Sequence, residues 1–377
     1  MFKDIHSNQI GQILGISFET YAQLNNITVS NSTAKFAGSL SSSVQVANIH
    51  VTNMTLMNHL LGFIDCFDLV MNNIYIENIQ SDYDYLMLIS NTKANSIMNV
   101  TINNIKTNVL YVLRSAVNHI SDFNIHNTSQ GIQIKSSSIN MMQNCSFSSI
   151  GSSDVKQGGA LYLEDTHMNI NNASFDNNVA ESGGAIFMGC TDYNSCSSYI
   201  EHSQLINNTA TQQGGAIQYN FRRPGLNNIN FDNNQAMYGQ NIASYPVRVV
   251  FNDFINDSMI LTDVVSGIAY PDTINLTIVD LDNQVMNFLS SGQIKIVGVT
   301  DGASVRGIDS SRLINGVAQF DNIQFVHRPG QSNINYKAVS NLIDSNKVRY
   351  LDVLTDNIIS VSFRYCQPGE VNVDDIV

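Results

Sequence analysis

The fold is decided by a stretch at residues 174–187, which reads SFDNNVAESGGAIF. It joins a Phe-Asp-Asn-Asn motif to a Gly-Gly-Ala-Ile motif. Both motifs return downstream, as FDNN at 231–234 and GGAI at 214–217, with LINN at 205–208 as a variant of the first. A further Gly-Gly-Ala begins at Gly158. Motifs that recur at a similar spacing indicate short structural units that stack on one another.

A weaker repeat extends towards the N-terminus and places an Asn at the end of each alternating strand. Runs such as VQVANIHV, at residues 44–51, alternate apolar and polar residues, as half-buried strands do. Successive Asn slots lie 22 to 30 residues apart. The slots hold Asn31, Asn53, Asn78, Asn104, Asn127, Ser149, Asn177, Asn207 and Asn233.

Strand-only units of about 25 residues are too short to close a core alone, so we predict that residues 1–245 stack as a right-handed parallel β-helix. Asn tolerates the left-handed backbone of a corner, and stacked amides can bond to each other along the ladder. Paired glycines permit tight corners and close approach of the next coil. The residues assigned to the structural repeat are Gly158, Gly159, Gly183, Gly184, Gly214, Gly215, Asn178, Asn208 and Asn234.

These motifs resemble the polymorphic outer-membrane protein repeat, which pairs GGA(I/L/V) with FxxN. The resemblance is specific over residues 145–245 and looser over 1–144, where glycine pairs are absent. It implies a β-helix of the kind found in bacterial autotransporter passengers and in predicted ciliate surface proteins.

The 25-residue period ends near Pro246, and six shorter alternating runs follow without helical patterns between them. This predicts an antiparallel β-sandwich over 246–365, similar in layout to immunoglobulin-like modules. The runs are VRVVF at 247–251, INLTIVD at 274–280, QIKIVGV at 293–299, GVAQFDNIQF at 316–325, NINYKAV at 333–339 and NIISVSFRY at 357–365.

The last segment, 366–377, begins with Cys366-Gln367-Pro368-Gly369-Glu370. This motif is similar to the opening of extracellular cysteine-rich repeats. We therefore expect a truncated cysteine-rich segment here, within a chain that is the middle part of a larger protein.

Composition narrows the classes of function. With 18 basic and 31 acidic residues the formal net charge is −13, which disfavours nucleic acid as a partner. Charged residues make up only 13% of the chain and hydrophobic residues 43%, so the chain should fold. No apolar run is long enough to span a bilayer, and we expect membrane contact only through segments outside this chain.

Cysteine spacing predicts one disulfide. Cys190 and Cys196 bracket a short turn-like insertion, where their Cα atoms can approach closely enough to bond. A metal pair is the alternative, but no His or second Cys pair lies at ligand spacing, and only His202 lies downstream. Cys66 and Cys145 are predicted to be small buried residues. A disulfide favours an extracellular or cell-surface location.

Ten Asn-x-Ser/Thr sequons permit glycosylation, although chance alone would supply about eight in a chain so rich in these residues. They are Asn26, Asn31, Asn53, Asn99, Asn127, Asn144, Asn172, Asn207, Asn256 and Asn275.

Parallel β-helices also carry polysaccharide lyases and hydrolases, which need convergent carboxylates. The candidates are Glu164, Asp165, His167, Asp192, Glu201, His202, Arg222 and Arg223. Glu164 and Asp165 are adjacent and should point to opposite sides of a strand. A calcium cluster at Asp280, Asp282 and Asn283 is a further alternative. We predict neither catalysis nor a cofactor or metal.

The sequence thus predicts an extracellular structural or adhesive stalk segment of a larger cell-surface or secreted protein. Expected partners are other surface or matrix proteins or glycans, with self-assembly through the β-helix ends. The alternatives are a carbohydrate-active β-helix enzyme and an autotransporter-type adhesin passenger.

Overall fold

The computed structural model describes residues 5–7, 11–14, 21–36, 43–56, 59–81, 84–251, 258–351 and 357–371. Its backbone contacts divide the chain into unit 1, Met1–Ala243, and unit 2, Ser244–Val377. The division falls two residues before the boundary predicted from the loss of the 25-residue period.

Unit 1 is built of strands that follow one another along the chain. They are β1 (Ile5–Ser7), β2 (Gly11–Leu14), β3 (Tyr21–Phe36), β4 (Ser43–Leu56), β5 (Leu61–Ile64), β6 (Asp68–Ser81), β7 (Tyr85–Ser90), β8 (Lys93–Leu113), β9 (Ala116–Lys135), β10 (Ser138–Gln143), β11 (Ser146–Ile150), β12 (Leu161–Glu164), β13 (His167–Asn171), β14 (Ser174–Asp176), β15 (Val179–Ser182), β16 (Ile186–Gly189), β17 (Ser197–Glu201), β18 (Gln204–Ile206), β19 (Thr209–Gln213), β20 (Ile217–Tyr219), β21 (Gly225–Asn227), β22 (Asn230–Asp232) and β23 (Ile242–Ala243).

Each strand pairs in parallel with the equivalent strand of the next coil. Ile49 of β4 lies opposite Ile27 on one side and Ile74 on the other, so like residues stack on like. The result is a parallel β-helix of about eight turns. Each coil has three faces, which we number by the strands of one coil: β13 lies on face 1, β14 on face 2 and β16 on face 3.

Inward side chains form continuous apolar columns along this β-helix. On face 2, the buried rings of Phe147 and Phe175 stack with centroids 4.9 Å apart and nearly parallel planes. Burial of such columns supplies the main stabilisation that a strand-only coil requires.

The Asn slots form the corner between face 2 and the segment leading to face 3. All nine slot residues have φ between 49° and 56°, the left-handed conformation that Asn tolerates better than most residues. Their exposed amides also bond along the column: Asn78 Nδ2 donates to Asn53 Oδ1 at 2.9 Å, and Asn127 Nδ2 to Asn104 Oδ1 at 3.3 Å.

The two glycines of each pair have different roles. The first, as in Gly183, has a φ of +63°, which an L side chain rarely adopts. The second packs against the next coil, because a Cβ on Gly184 would lie 2.2 Å from the carbonyl oxygen of Gly215. Neither position can take a larger residue without moving the neighbouring backbone.

The described residues of unit 2 form three sheets and one short helix. Its elements are β24 (Pro246–Phe251), β25 (Ser258–Val264), β26 (Ile274–Asp280), β27 (Gln293–Gly298), β28 (Ser304–Gly307), β29 (Ser310–Arg312), β30 (Val317–Phe320), β31 (Ile323–Val326), β32 (Ile334–Ser340), α1 (Ser345–Val348) and β33 (Ile358–Phe363). The sheet orders are β24-β26-β30, β25-β33-β32-β27-β29 and β28-β31.

The expectation of a purely antiparallel unit 2 is wrong at one pairing. β25 and β33 are parallel, whereas the other strand pairs among the described residues of this unit are antiparallel. The two strands are separated by most of the unit's chain, which gives ample length for the crossover that parallel neighbours require. The helix α1 was also not predicted; the Asp344 carboxylate caps it by accepting from the Asn346 amide.

Candidate functional site

A stapled corner, defined as residues 190–196 with the groups that hold them, projects between β16 and β17. The predicted disulfide joins Cys190 to Cys196, whose Cα atoms are 5.8 Å apart. Thr191, Asp192 and Asn194 between them are exposed. The insertion is therefore a closed, outward-facing turn at the corner between faces 3 and 1.

Asp165, at the same corner one coil earlier, anchors the stapled corner by hydrogen bonds. Its carboxylate accepts from the Thr191 amide at 2.7 Å, from Thr191 Oγ1 at 3.0 Å and from Ser195 Oγ at 2.5 Å. Burial alone would raise the pKa of Asp165, but these donors outweigh it and lower the pKa below its ordinary value. The carboxylate is therefore a structural acceptor.

An aromatic and cationic cluster supports the other side of the stapled corner. Phe221 is buried against both cysteines, with the Tyr193 ring packed against the group. The Arg222 guanidinium lies 5.2 Å from the Tyr193 ring centroid and donates to the Cys196 carbonyl at 3.3 Å. The corner thus has its own small core outside the main apolar columns.

Directly before the stapled corner lies the sequence that matches a known family. Residues 172–188 match the Chlamydia polymorphic membrane protein repeat. This range runs from the Asn172 corner through face 2 and the glycine pair into face 3. The chain carries a polymorphic membrane protein repeat, and the repeat folds as a coil of a β-helix. No curated protein matches the chain.

A second Asn column, which begins in the matched repeat at Asn178 and continues through the next two coils, is buried rather than exposed. Asn178 and Asn208 are fully buried and Asn234 is 5% exposed. Asn208 Oδ1 accepts from both the backbone and the side-chain amide of Asn178, at 3.0 and 2.9 Å. Asn234 Oδ1 accepts from the same two groups of Asn208, both at 3.0 Å. The last Asn of the FxxN motif therefore joins coils through the interior.

The candidate carboxylates for glycoside cleavage lie on different faces and corners of the coils, and Glu164 is already engaged. Glu164, at the end of a face 3 strand, pairs with Lys135 Nζ at 2.9 Å and accepts from the Tyr162 hydroxyl at 3.0 Å. Burial and the Glu164 carboxylate raise the pKa of Tyr162. Glu201 ends a face 1 strand, and His202 follows it as a left-handed corner residue.

The remaining candidates belong to local contacts. His167 Nδ1 lies 2.9 Å from Ser197 Oγ on the next coil. Asp192 Oδ1 accepts from the Asn194 amide at 3.0 Å within the stapled corner. Arg223 is exposed. No cluster of three metal-ligating His, Cys, Asp or Glu side chains occurs within the described ranges.

The acidic cluster considered for calcium is occupied by hydrogen-bond donors. Asp280 is fully buried, and its Oδ1 accepts from the amides of Asp282 and Gln284, both at 2.9 Å. Its Oδ2 accepts from Gln284 Nε2 at 3.2 Å and from the Ser244 amide at 3.3 Å. The Asn283 side chain instead accepts from Arg248 at 2.6 Å. These contacts stabilise a turn and leave the carboxylate oxygens directed at N–H groups.

Eight of the ten sequons fall on two corners of the β-helix, the corner of the Asn slots and the corner between face 1 and face 2. All eight have a left-handed backbone: Asn26, Asn31, Asn53, Asn99, Asn127, Asn144, Asn172 and Asn207. Asn275 lies in β26 with its Oδ1 buried and unpartnered, and Asn256 lies outside the described residues. At Asn172 the Nδ2 atom that would carry a glycan donates to Asn144 Oδ1 at 2.8 Å.

Cys66 and Cys145 are buried, form no disulfide, and directly follow left-handed corner residues. The slot of Cys66 holds a hydroxyl in the next coils: the Cys66 amide donates to Thr92 Oγ1 and the Thr92 amide to Ser115 Oγ. Desolvation raises the pKa of the Cys145 thiol to about 12. Cys366 is also free and is partly exposed.

An aromatic column runs along the outside, formed by His59, Tyr85 and Tyr111. The centroids are 4.8 Å apart for the first pair and 5.0 Å for the second. Sequence reasoning missed this column, because residues 26 positions apart become neighbours only once the coil register is known. The described residues include no helix of the length and hydrophobicity that a membrane span requires.

Proposed function

We propose that the chain is a structural and adhesive segment of an extracellular or cell-surface protein, of the autotransporter-passenger type. The observation that carries the proposal is a polymorphic membrane protein repeat inside a β-helix whose outer corners repeat in every coil. The Cys190–Cys196 disulfide supports an oxidising location. Unit 2 would follow as an immunoglobulin-like module.

The mechanism of such a segment is repeated presentation rather than catalysis. Outward side chains recur about every 4.8 Å along the coils, so weak contacts with glycans or matrix proteins can add up. The engagement of Glu164 and Asp165 in structural bonds supports a non-enzymatic role. The ends of the β-helix, as strand edges, would supply self-association.

Location is tested with antibodies against the stapled corner, applied to cells that make the protein. Labelling of intact cells, lost after mild treatment with an external protease, is the expected result. Labelling that requires permeabilised cells would contradict the proposed location. Antibodies against a cytoplasmic protein of the same cells serve as the control for intactness.

Adhesion is tested with beads that carry the chain at increasing surface density. Multivalent attachment to cells or matrix predicts a steep, more than proportional rise in bound beads with density. Beads coated with heat-denatured chain are the control. Equal attachment by both coatings would contradict adhesion by the folded β-helix.

A further inference from the structure

The outer strip of face 3 is a chemically distinct surface of the β-helix. We define it as the outward side chains of residues 85–90, 108–113, 130–135 and 161–164, which lie on face 3 of four successive coils. In the first three ranges the first, fourth and sixth residues are partly exposed and the others are buried. Parallel pairing places Leu88 beside Tyr111, Tyr111 beside Gln133, and Gln133 beside Tyr162. The strip therefore consists of columns that run from coil to coil.

The strip is largely apolar and carries no net charge. Leu88, Tyr111 and Leu113 are partly exposed on it. Its only charged residues, Lys135 and Glu164, pair with each other at 2.9 Å. In β8 and β9 the outward positions of face 2 hold Thr, Asn and His instead. Because the chain has a net charge of −13, which disfavours polyanions, the electrostatics of the strip favour an uncharged ligand.

Amide side chains within the strip offer hydrogen bonds to a ligand. Gln133 is held in position, because its Nε2 donates to Gln130 Oε1 at 2.8 Å. Gln130 is fixed in turn, since its Nε2 donates to the Gln157 carbonyl at 3.3 Å. Gln133 Oε1 and the Asn108 amide have no hydrogen-bond partner among the described residues, and both side chains are partly exposed. These groups are therefore within reach of ligand hydroxyls.

The geometry of the strip disfavours a protein partner. The strand at 108–113 is paired with β7 on one side and with β9 on the other, so it has no free edge for strand addition. A peptide laid on the strip would bury backbone groups that find no partners there. The strip covers roughly 400 Å² by the strand spacings, whereas each partner in a standard protein interface buries about 800 Å². These features favour a narrow ligand that side chains alone recognise.

We infer that the outer strip of face 3 binds an extended, neutral polysaccharide that lies along the coils. The apolar C–H groups of the sugar rings pack on Leu88, Tyr111 and Leu113. The ring hydroxyls bond to Asn108 and Gln133. Successive residues of an extended sugar chain and successive coils, which are about 4.8 Å apart, have a similar spacing, so weak contacts add up from coil to coil. The inference rests on the proposed function and deepens it, since it names one partner class and one face.

The test is calorimetric titration of the full chain with four hexasaccharides. Cellohexaose and chitohexaose are extended and neutral, maltohexaose is neutral but coiled, and hexagalacturonate is extended and anionic. Saturable binding of cellohexaose or chitohexaose is expected, with maltohexaose and hexagalacturonate at least about 10-fold weaker. The inference would be overturned if neither extended neutral chain bound saturably, or if maltohexaose or hexagalacturonate bound as tightly.

Two variants locate the binding on the strip. Tyr111→Ala and Gln133→Ala should each weaken binding of the extended neutral hexasaccharide about 5-fold or more. Tyr75→Ala is the matched control, since Tyr75 also stacks in an outward aromatic pair, with His50 at 4.8 Å, but lies on face 2. Far-UV circular dichroism identifies the folded variants. Unchanged affinity in folded Tyr111→Ala and Gln133→Ala, or an equal loss in Tyr75→Ala, would refute the assignment to face 3.

Beads coated with the chain separate this inference from the proposed function. Beads that attach to cells, although the chain binds none of the hexasaccharides, would overturn the polysaccharide ligand and leave adhesion in place. If Tyr111→Ala also abolished that attachment, the strip would be an interface with a protein instead. Saturable hexasaccharide binding by a chain whose beads do not attach would uphold the inference and contradict adhesion.

Discussion

Replacing Asn208 by Leu tests whether the buried Asn column holds neighbouring coils of the β-helix together. Leu has a similar size but can neither donate nor accept a hydrogen bond. The change removes four side-chain bonds of Asn208. Two are donated by Nδ2, to the carbonyl of Phe175 and to Asn234 Oδ1, and two are accepted by Oδ1 from Asn178.

The expected loss follows from these contacts. Four bonds at about 1 kcal/mol each give about 4 kcal/mol. The Asn178 amide is left buried without its acceptor, which adds about 1–3 kcal/mol. Burial of the Leu side chain returns about 1–2 kcal/mol. The net destabilisation of the coils around Asn208 should therefore be about 4 kcal/mol.

The assay is hydrogen exchange followed by mass spectrometry, because stability in a repeat protein varies along the chain. Peptides from residues 174–235 should exchange much faster in Asn208→Leu, whereas peptides from unit 2 should not change. The matched control is Asn207→Gly. Asn207 is exposed, has a φ of 56° that Gly adopts freely, and loses only one bond, to Asp176.

Asn207→Gly should lower the free energy of unfolding of these coils by less than about 1 kcal/mol. If peptides 174–235 were as well protected from hydrogen exchange in Asn208→Leu as in Asn207→Gly, the buried column would not contribute to stability. The left-handed corner alone would then explain the FxxN motif, and the stabilising role of the buried Asn column would be refuted.

Three further predictions concern the glycine pairs, the disulfide and the C-terminal turn. Gly184→Ala should destabilise the β-helix by about 3 kcal/mol in thermal unfolding, because its Cβ meets the next coil's backbone; an unchanged melting temperature would contradict this. Reduction of Cys190–Cys196 should lower the free energy of local unfolding of the stapled corner by about 2 kcal/mol. Chymotrypsin should then cleave the stapled corner faster, while the far-UV circular dichroism spectrum stays constant. Arg364 lowers the pKa of Glu370 to about 2, so their pairing should persist from neutral pH to below 4.5 and fail as pH falls through about 2; an NMR midpoint near 4.5 would show that the pair does not form.

The exposed Asn column was predictable because one residue type fills nearly every slot at a regular spacing. A second corner column lies five residues earlier, for example at Asn48 and Asn73, and has the same left-handed backbone. This second column was not recognised in the sequence because two of its positions hold Asp122 and His202 instead of Asn. The third corner uses still more varied residues, including Arg114, and therefore leaves no readable pattern.

The disulfide was predictable from spacing, but its supports were not. Cys190 and Cys196 are six residues apart, so local geometry alone allows the bond. Asp165 and Phe221 lie about one coil before and after, and become neighbours only when the coil register is known. The parallel pairing in unit 2 was missed for a related reason, since local sequence does not encode which distant strands meet.

The coil geometry also accounts for the abundance of sequons. In Asn172-Ala173-Ser174 the first residue is a left-handed corner, the second is buried and the third starts an outward strand position. Asn favours such corners, and small hydroxyl residues suit an outward position, so the architecture itself generates Asn-x-Ser/Thr. The amide of Asn172 is moreover engaged with its neighbouring coil. The proposed extracellular location therefore rests on the disulfide and the repeat rather than on the number of sequons.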